Sequence, residues 1–223
     1  MKKLIINIMA TMAMAFTVIV PAYGAKEAAD TLTAGEVFAN LPLKTLEILG
    51  KSTRLDMLDY YAADSIYKAP NGMEGLSELV KVTPKYLDVK ITPVTQMQIL
   101  MFEPKKKGPA CAVLYTIGGD GQAPDTDVTF LDEEFSEMPR EKYLQYPDIV
   151  DFFNIPDKDV KEKIEELVPF PTIEFIPNQD TFELTAKLTV GEYMGKENFE
   201  YIKKYMKPEL RYRWNGKKYE LVK

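Results

Sequence analysis

Three groups of side chains have the types and spacing to do chemistry. The first lies in Ser52–Tyr67, STRLDMLDYYAADSIY, which carries Arg54, Asp56, Asp59 and Asp64 together with Tyr60, Tyr61 and Tyr67. Asp56 and Asp59 are three apart, so on a helix both carboxylates share one face, as a carboxylate-only acid/base pair would require. Such a pair works only when its surroundings drive the two pKa values apart. The second group is Asp120, Asp125 and Asp127 in and after the glycine-rich turn Gly118-Gly119-Asp120-Gly121. These are hard oxygen donors suited to calcium, but the regular alternation and closing Glu of a dedicated calcium loop are missing, so an acidic hairpin turn is the plainer reading. The third is Tyr212, Trp214 and Tyr219 about the Asn215-Gly216 turn, with Met97 and Met101 on other strands. Aromatic and Met side chains are favoured at recognition surfaces.

Composition narrows these options. The chain has no His, which removes Ser-His-Asp and Cys-His catalysis and deprives a zinc site of its commonest nitrogen ligand. Cys111 is the one Cys, so no intramolecular disulfide forms. It stands in the apolar run Ala110–Tyr115 and reads as a buried structural thiol. No cofactor is expected. With 28 basic against 34 acidic residues the net charge is −6, which argues against nucleic acid and anionic membrane surfaces as partners.

The first residues read as an export signal. Lys2 and Lys3 precede an apolar run from Leu4 to Val20, then Pro21-Ala22-Tyr23-Gly24 offers small residues for a cut after Gly24. Residues 1–24 are therefore expected to be a signal peptide, with a periplasmic or secreted mature chain and no stable membrane insertion after cleavage.

The remainder of the sequence holds the elements that position the candidates. Thr33 with Glu36, Thr53 with Asp56 and Thr189 with Glu192 have capping-box spacing, and Asp157 precedes a helical pattern to Val168. The helix over Ser52–Ser65 is expected to bury Leu55, Leu58 and Ala62, with Asp56 as its cap and the tyrosine hydroxyls outward. A further short segment from Pro42 carries Leu43, Leu46 and Leu49 and stops at Gly50. Alternation predicts strands at Leu87–Ile91 and Met97–Met101, and Ala110–Ile117 and Thr126–Leu131 read as the next two, the four running as a meander past an exposed basic turn at Lys105-Lys106-Lys107. An irregular connector over Phe135–Pro156 leads to strands at Thr172–Pro177 and Phe182–Leu188, a helix to Met206, and a hairpin over Leu210–Val222 with Asn215-Gly216 as a type I′ turn. Thr172–Pro177 echoes Asp88–Pro93. The fold class expected is α+β, short helices packed on antiparallel sheet, read as two helix-plus-four-strand units in tandem. Residues 25–138 would hold the helical layer and first sheet, and 139–223 the connector, helices and second sheet, as two lobes or one compact domain.

The segment Arg54–Tyr61, the connector Pro147–Phe153 (PDIVDFF) and the hairpin Arg213–Lys218 (RWNGKK) occur together in this order. That combination resembles a secreted family restricted to Bacteroidales, a domain of unknown function numbered three-two-five-six in its series. The resemblance implies export into a Gram-negative envelope and implies no activity, so no functional residue is carried over from it.

The expected function is an exported, non-enzymatic binding protein that recognises a protein, peptide or glycan through a sheet face with exposed Tyr212, Trp214 and Tyr219. Two alternatives stand beside it: a carboxylate-only hydrolase of envelope or dietary glycans using Asp56 and Asp59, and a structural envelope component. The enzyme reading calls for a cleft with two inward carboxylates, the binding reading for an exposed aromatic patch.

Overall fold

The computed structural model describes residues 31–42, 46–103, 107–119 and 122–222. The expected signal peptide, and with it Leu43, Lys105, Lys106 and Asp120, lies outside the described residues. Alternating apolar residues on successive short strands make one large sheet the centre of the fold. Strands β1 (Lys68–Pro70), β2 (Leu76–Val82), β3 (Tyr86–Thr92), β4 (Thr95–Met101), β5 (Cys111–Gly119), β6 (Gln122–Leu131) and β7 (Glu137–Met138) pair in chain order, each antiparallel to the next. The four expected strands are the central ones. β2 escapes a period-two reading because a bulge between Leu79 and Lys81 breaks its alternation, and β1 and β7 are too short to show one.

One face of this sheet presents Leu87, Val89, Ile91, Met97, Ile99, Cys111 and Val113 to α1 (Ala34–Asn40) and α2 (Lys51–Ala62). Helix α1 opens as expected: Thr33 Oγ1 accepts from Glu36 N at 3.2 Å and the Glu36 carboxylate accepts from Thr33 N at 2.8 Å. Helix α2 corrects the reading. It starts at Lys51 behind Gly50 rather than at a Thr53–Asp56 box, and Asp56 caps nothing. Its inward residues are Arg54 and Met57, while Leu55 and Ala62 are exposed. The cause is sixteen residues away. Pro42 has no N–H to give Phe38 O, the carbonyl four residues earlier, so the α1 end is short of a donor. Arg54 Nη1 supplies it, donating to Phe38 O at 2.7 Å and Leu41 O at 2.9 Å from a side chain only 2 % exposed.

The opposite face, with Leu100, Phe102, Ala112, Leu114, Val128 and Phe130, packs against everything after β7. There β8 (Ile173–Pro177), β9 (Leu184–Leu188), β10 (Leu210–Trp214) and β11 (Tyr219–Leu221) form a second antiparallel sheet in the order β11-β10-β9-β8. Helices α3 (Lys158–Leu167) and α4 (Lys196–Lys203) add Ile164 and Ile202 to the same core. Asp157 caps α3 as expected, accepting from Val160 N at 2.9 Å. Thr189 does not cap α4, which begins at Lys196 after Gly195; its hydroxyl donates instead to Pro124 O at 2.7 Å, tying the second sheet to the first. The two halves are not copies. β3 lies inside a seven-stranded sheet and its sequence echo β8 forms an edge of a four-stranded one. Leu32–Lys223 form one compact α+β unit, and no helix among the described residues is long and apolar enough to cross a membrane.

Candidate binding site

The β10–β11 connection sets the geometry of the aromatic group. Asn215 N donates to Lys218 O at 3.0 Å, and the Asn215 carboxamide oxygen accepts from Lys217 N at 2.8 Å and Lys218 N at 3.0 Å. The turn therefore pivots on Gly216-Lys217, one residue later than expected, with Gly216 at φ +87°, where only glycine is unstrained. This register places Trp214 opposite Tyr219 and Tyr212 opposite Leu221.

All three aromatics face inward, which corrects the expected open recognition face. Tyr212 and Tyr219 are each 4 % exposed. The physical reason is the second sheet itself: an aromatic strand face beside another apolar sheet becomes the contact between the sheets. The outward positions of β10 are charged instead, with Arg213 Nε 2.8 Å from Glu183 and Arg211 Nη2 2.6 Å from Glu209.

Trp214 differs from its neighbours in being only half-buried. Its ring stacks on Phe102 at a centroid separation of 4.1 Å, and Tyr219 meets it edge-on at 5.1 Å. Beside this stack opens a mainly apolar cavity of about 340 Å³ lined by Phe102, Pro109, Tyr143 and Trp214, with Gly108 and Gly216 and the charged Glu103, Lys107 and Lys217 completing the lining. Its parts come from three places: the β4–β5 connection, Tyr143 of the connector, and the β10–β11 turn. Tyr143 is held there by its carbonyl, which accepts from Tyr219 N at 2.7 Å. Glu103 is paired with Lys85, which holds its carboxyl below the usual range. No carboxylate among the described residues lies within ion-pair distance of Lys107 or Lys217. The arrangement can seat a flat apolar group; it holds no acid/base pair.

The other candidates do not converge. Asp56 and Asp59 are exposed on the outside of α2. The cavity beside that helix, about 230 Å³, is walled by Tyr61, Asp64, Ile66, Tyr67 and Glu78 among others, and neither Asp56 nor Asp59 reaches it. Tyr60 and Tyr67 stack on one another at 4.3 Å. Asp125 accepts from Ile173 N at 2.9 Å, fastening β8 to β6, and Asp127 pairs with Arg140 at 2.8 Å. No group of three His, Cys, Asp or Glu able to hold a metal occurs among the described residues. Met97 is buried at the helix-covered face, as are Met101 and Cys111, whose thiol burial pushes up to about 12.

One polar cluster is missed by the sequence reading. Asp88 is buried, accepting from Gln96 Nε2 at 2.7 Å and from the Tyr86 hydroxyl at 3.3 Å, and that hydroxyl accepts from Gln98 Nε2 at 2.9 Å. Burial raises the Asp88 carboxyl, against the lowering effect of these donors, and pushes Tyr86 up to about 12. The sign of it in the sequence is polar Tyr86, Asp88, Gln96 and Gln98 at alternate positions of two paired strands. Its hydrogen bonds join side chains of the paired strands β3 and β4, so it reads as a clamp between them.

Comparison with known proteins agrees with the architecture. No curated protein matches. Among solved structures, a domain of an uncharacterized protein from Porphyromonas gingivalis W83 is similar, with a TM-score of 0.72 and 16 % identity over 84 % of this chain and 96 % of that one. At that identity the likeness is one of fold. A family model described as protein of unknown function DUF3256 matches residues 27–219. The chain belongs to the DUF3256 family.

Proposed function

We propose that this is an exported binding protein of a Bacteroidales cell envelope, and that it holds its ligand in the Phe102–Tyr143–Trp214 cavity rather than on an open sheet face. Support for export comes from the signal-like order of charge, apolar run and small residues over 1–24. The observation that carries the binding reading is the half-buried Trp214 standing at an apolar cavity within the size range of small-molecule sites. At about 340 Å³ the cavity is near the lower end of that range, which fits one ring system or one large side chain rather than a folded partner. The hydrolase alternative keeps no support from Asp56 and Asp59, which face solvent without a cleft.

Trp214 is the chain's one Trp, so its indole N–H gives a single resonance that reports the site. Screening small apolar fragments by two-dimensional NMR is expected to move that resonance together with the amides of Phe102, Gly108, Tyr143 and Gly216. Shifts scattered elsewhere, or none at Trp214 with any fragment, would overturn the reading.

A further inference from the structure

We infer that the cavity takes a small apolar molecule carrying one anionic group; the inference rests on the binding reading above. An apolar body alone would satisfy the walls, since Phe102, Pro109, Tyr143 and Trp214 offer rings and carbon. The rest of the lining is different. Three charged residues belong to it, Glu103, Lys107 and Lys217, and only the carboxylate is already matched, by Lys85. Lys107 and Lys217 both line the cavity, one from the β4–β5 connection and one from the β10–β11 turn. Neither has a carboxylate within ion-pair distance among the described residues, in a chain whose acidic side chains outnumber its basic ones by 34 to 28. Of the other surface lysines, Lys68, Lys158, Lys161, Lys163 and Lys218 each pair with a Glu, while Lys90, Lys142, Lys187 and Lys196 have no carboxylate within ion-pair distance among the described residues, so what sets Lys107 and Lys217 apart is their place at the cavity.

The turn chemistry adds to this. Lys217 sits at the pivot of the hairpin because its backbone N–H is fixed by the Asn215 side chain at 2.8 Å, so the ammonium stem starts from an ordered position. An anionic group at this lining gains attraction from the two cations, while the apolar part of the molecule lies against the Phe102–Trp214 stack. A carboxylate, a sulfonate and a phosphate monoester share that chemistry. A neutral ring of the same size would use only the walls.

The test uses two dyes that differ by one sulfonate, 8-anilinonaphthalene-1-sulfonate and N-phenyl-1-naphthylamine, titrated into the mature chain with Trp214 emission and energy transfer as the readouts. Lys107→Gln with Lys217→Gln is expected to weaken the sulfonate dye about three- to ten-fold, the scale of two exposed ion pairs, and to change the neutral dye less than two-fold. Raising salt is expected to weaken the sulfonate dye on the native chain and not on the double variant. Phenyl phosphate and 3-phenylpropionate, as competitors, then distinguish a phosphate from a carboxylate head by which displaces the dye at lower concentration. Equal response of both dyes to the double substitution overturns the anionic assignment and leaves the pocket standing. Failure of both dyes to reach Trp214 overturns the pocket reading as well.

Discussion

Arg54 offers the sharpest test of how the helical layer is held. Its side chain is 2 % exposed and gives Nη1 to two carbonyls at the end of α1, Phe38 O at 2.7 Å and Leu41 O at 2.9 Å. Its Nε is buried without a partner, so burial costs it part of what the two bonds contribute and draws its guanidinium below the ordinary value. Arg54→Ala removes both donors, strands two carbonyls beside a proline that cannot replace them, and empties space next to Met57. Hydrogen bonds to a charged group contribute about 1.5–3 kcal/mol each, so losing two costs about 3–6 kcal/mol, from which the relieved burial of the guanidinium subtracts. The expected loss is therefore about 3–5 kcal/mol of a total of roughly 5–15 kcal/mol. With a urea slope of about 2–3 kcal/mol/M, the midpoint should fall by roughly 1–2 M. Arg54→Met keeps most of the stem and removes the orphaned Nε, so its loss should be smaller, about 1–3 kcal/mol from the unpaired carbonyls. Urea melts of the three proteins settle it. An Arg54→Ala midpoint within about 0.3 M of the native one would refute the capping argument, since that is the size of an ordinary surface substitution.

Further outcomes follow from other residues. Tyr219→Phe removes a buried hydroxyl that has no partner and should raise stability by about 1 kcal/mol in the same melts; a loss would mean the hydroxyl is bonded. Asp88 has its carboxyl raised by burial from 3.8, so the stability it contributes is full below that value and is lost as pH rises through the raised folded value. Asp88→Asn mimics the neutral form and should be more stable than the native chain at pH 8, with the difference shrinking toward pH 4; a variant less stable at pH 8 would contradict this. Gly118 has φ +119°, and an added Cβ would meet Ala123 O at 2.5 Å and Pro124 Cα at 2.6 Å, so Gly118→Ala should cost about 2–4 kcal/mol by thermal or urea melting. A neutral Gly118→Ala would mean that Gly118 does not lie this close to Ala123 and Pro124 of β6.

Local signals carried much of the fold. The Thr33–Glu36 box and the Asp157 cap act within one turn, the alternation of Leu87, Val89 and Ile91 marks β3, and the apolar run from Cys111 marks β5 as a strand buried on both faces. What escaped was set at a distance. α2 faces the core with Arg54 because Pro42 leaves a carbonyl open sixteen residues earlier, a demand that side-chain type alone does not reveal. The Thr189–Glu192 spacing reads as a cap, yet the hydroxyl is taken by Pro124 O on the other sheet. The aromatic group shows the same limit. Alternation tells that Tyr212 and Trp214 share a face; which face meets Phe102 and Phe130 depends on how two sheets stack. Of the three aromatics singled out, Trp214 lines the cavity, and its companions there, Phe102, Pro109 and Tyr143, carry no spacing signal that would join them.

If the protein binds as proposed, Trp214 stands at a site that a small apolar molecule enters. The most direct measurement is Trp214 emission on the mature chain as N-phenyl-1-naphthylamine is added. A saturable change with energy transfer to one dye per chain is the predicted result, abolished by competing apolar ligands. Emission that stays constant, or drifts without saturating while the dye binds elsewhere, would contradict it.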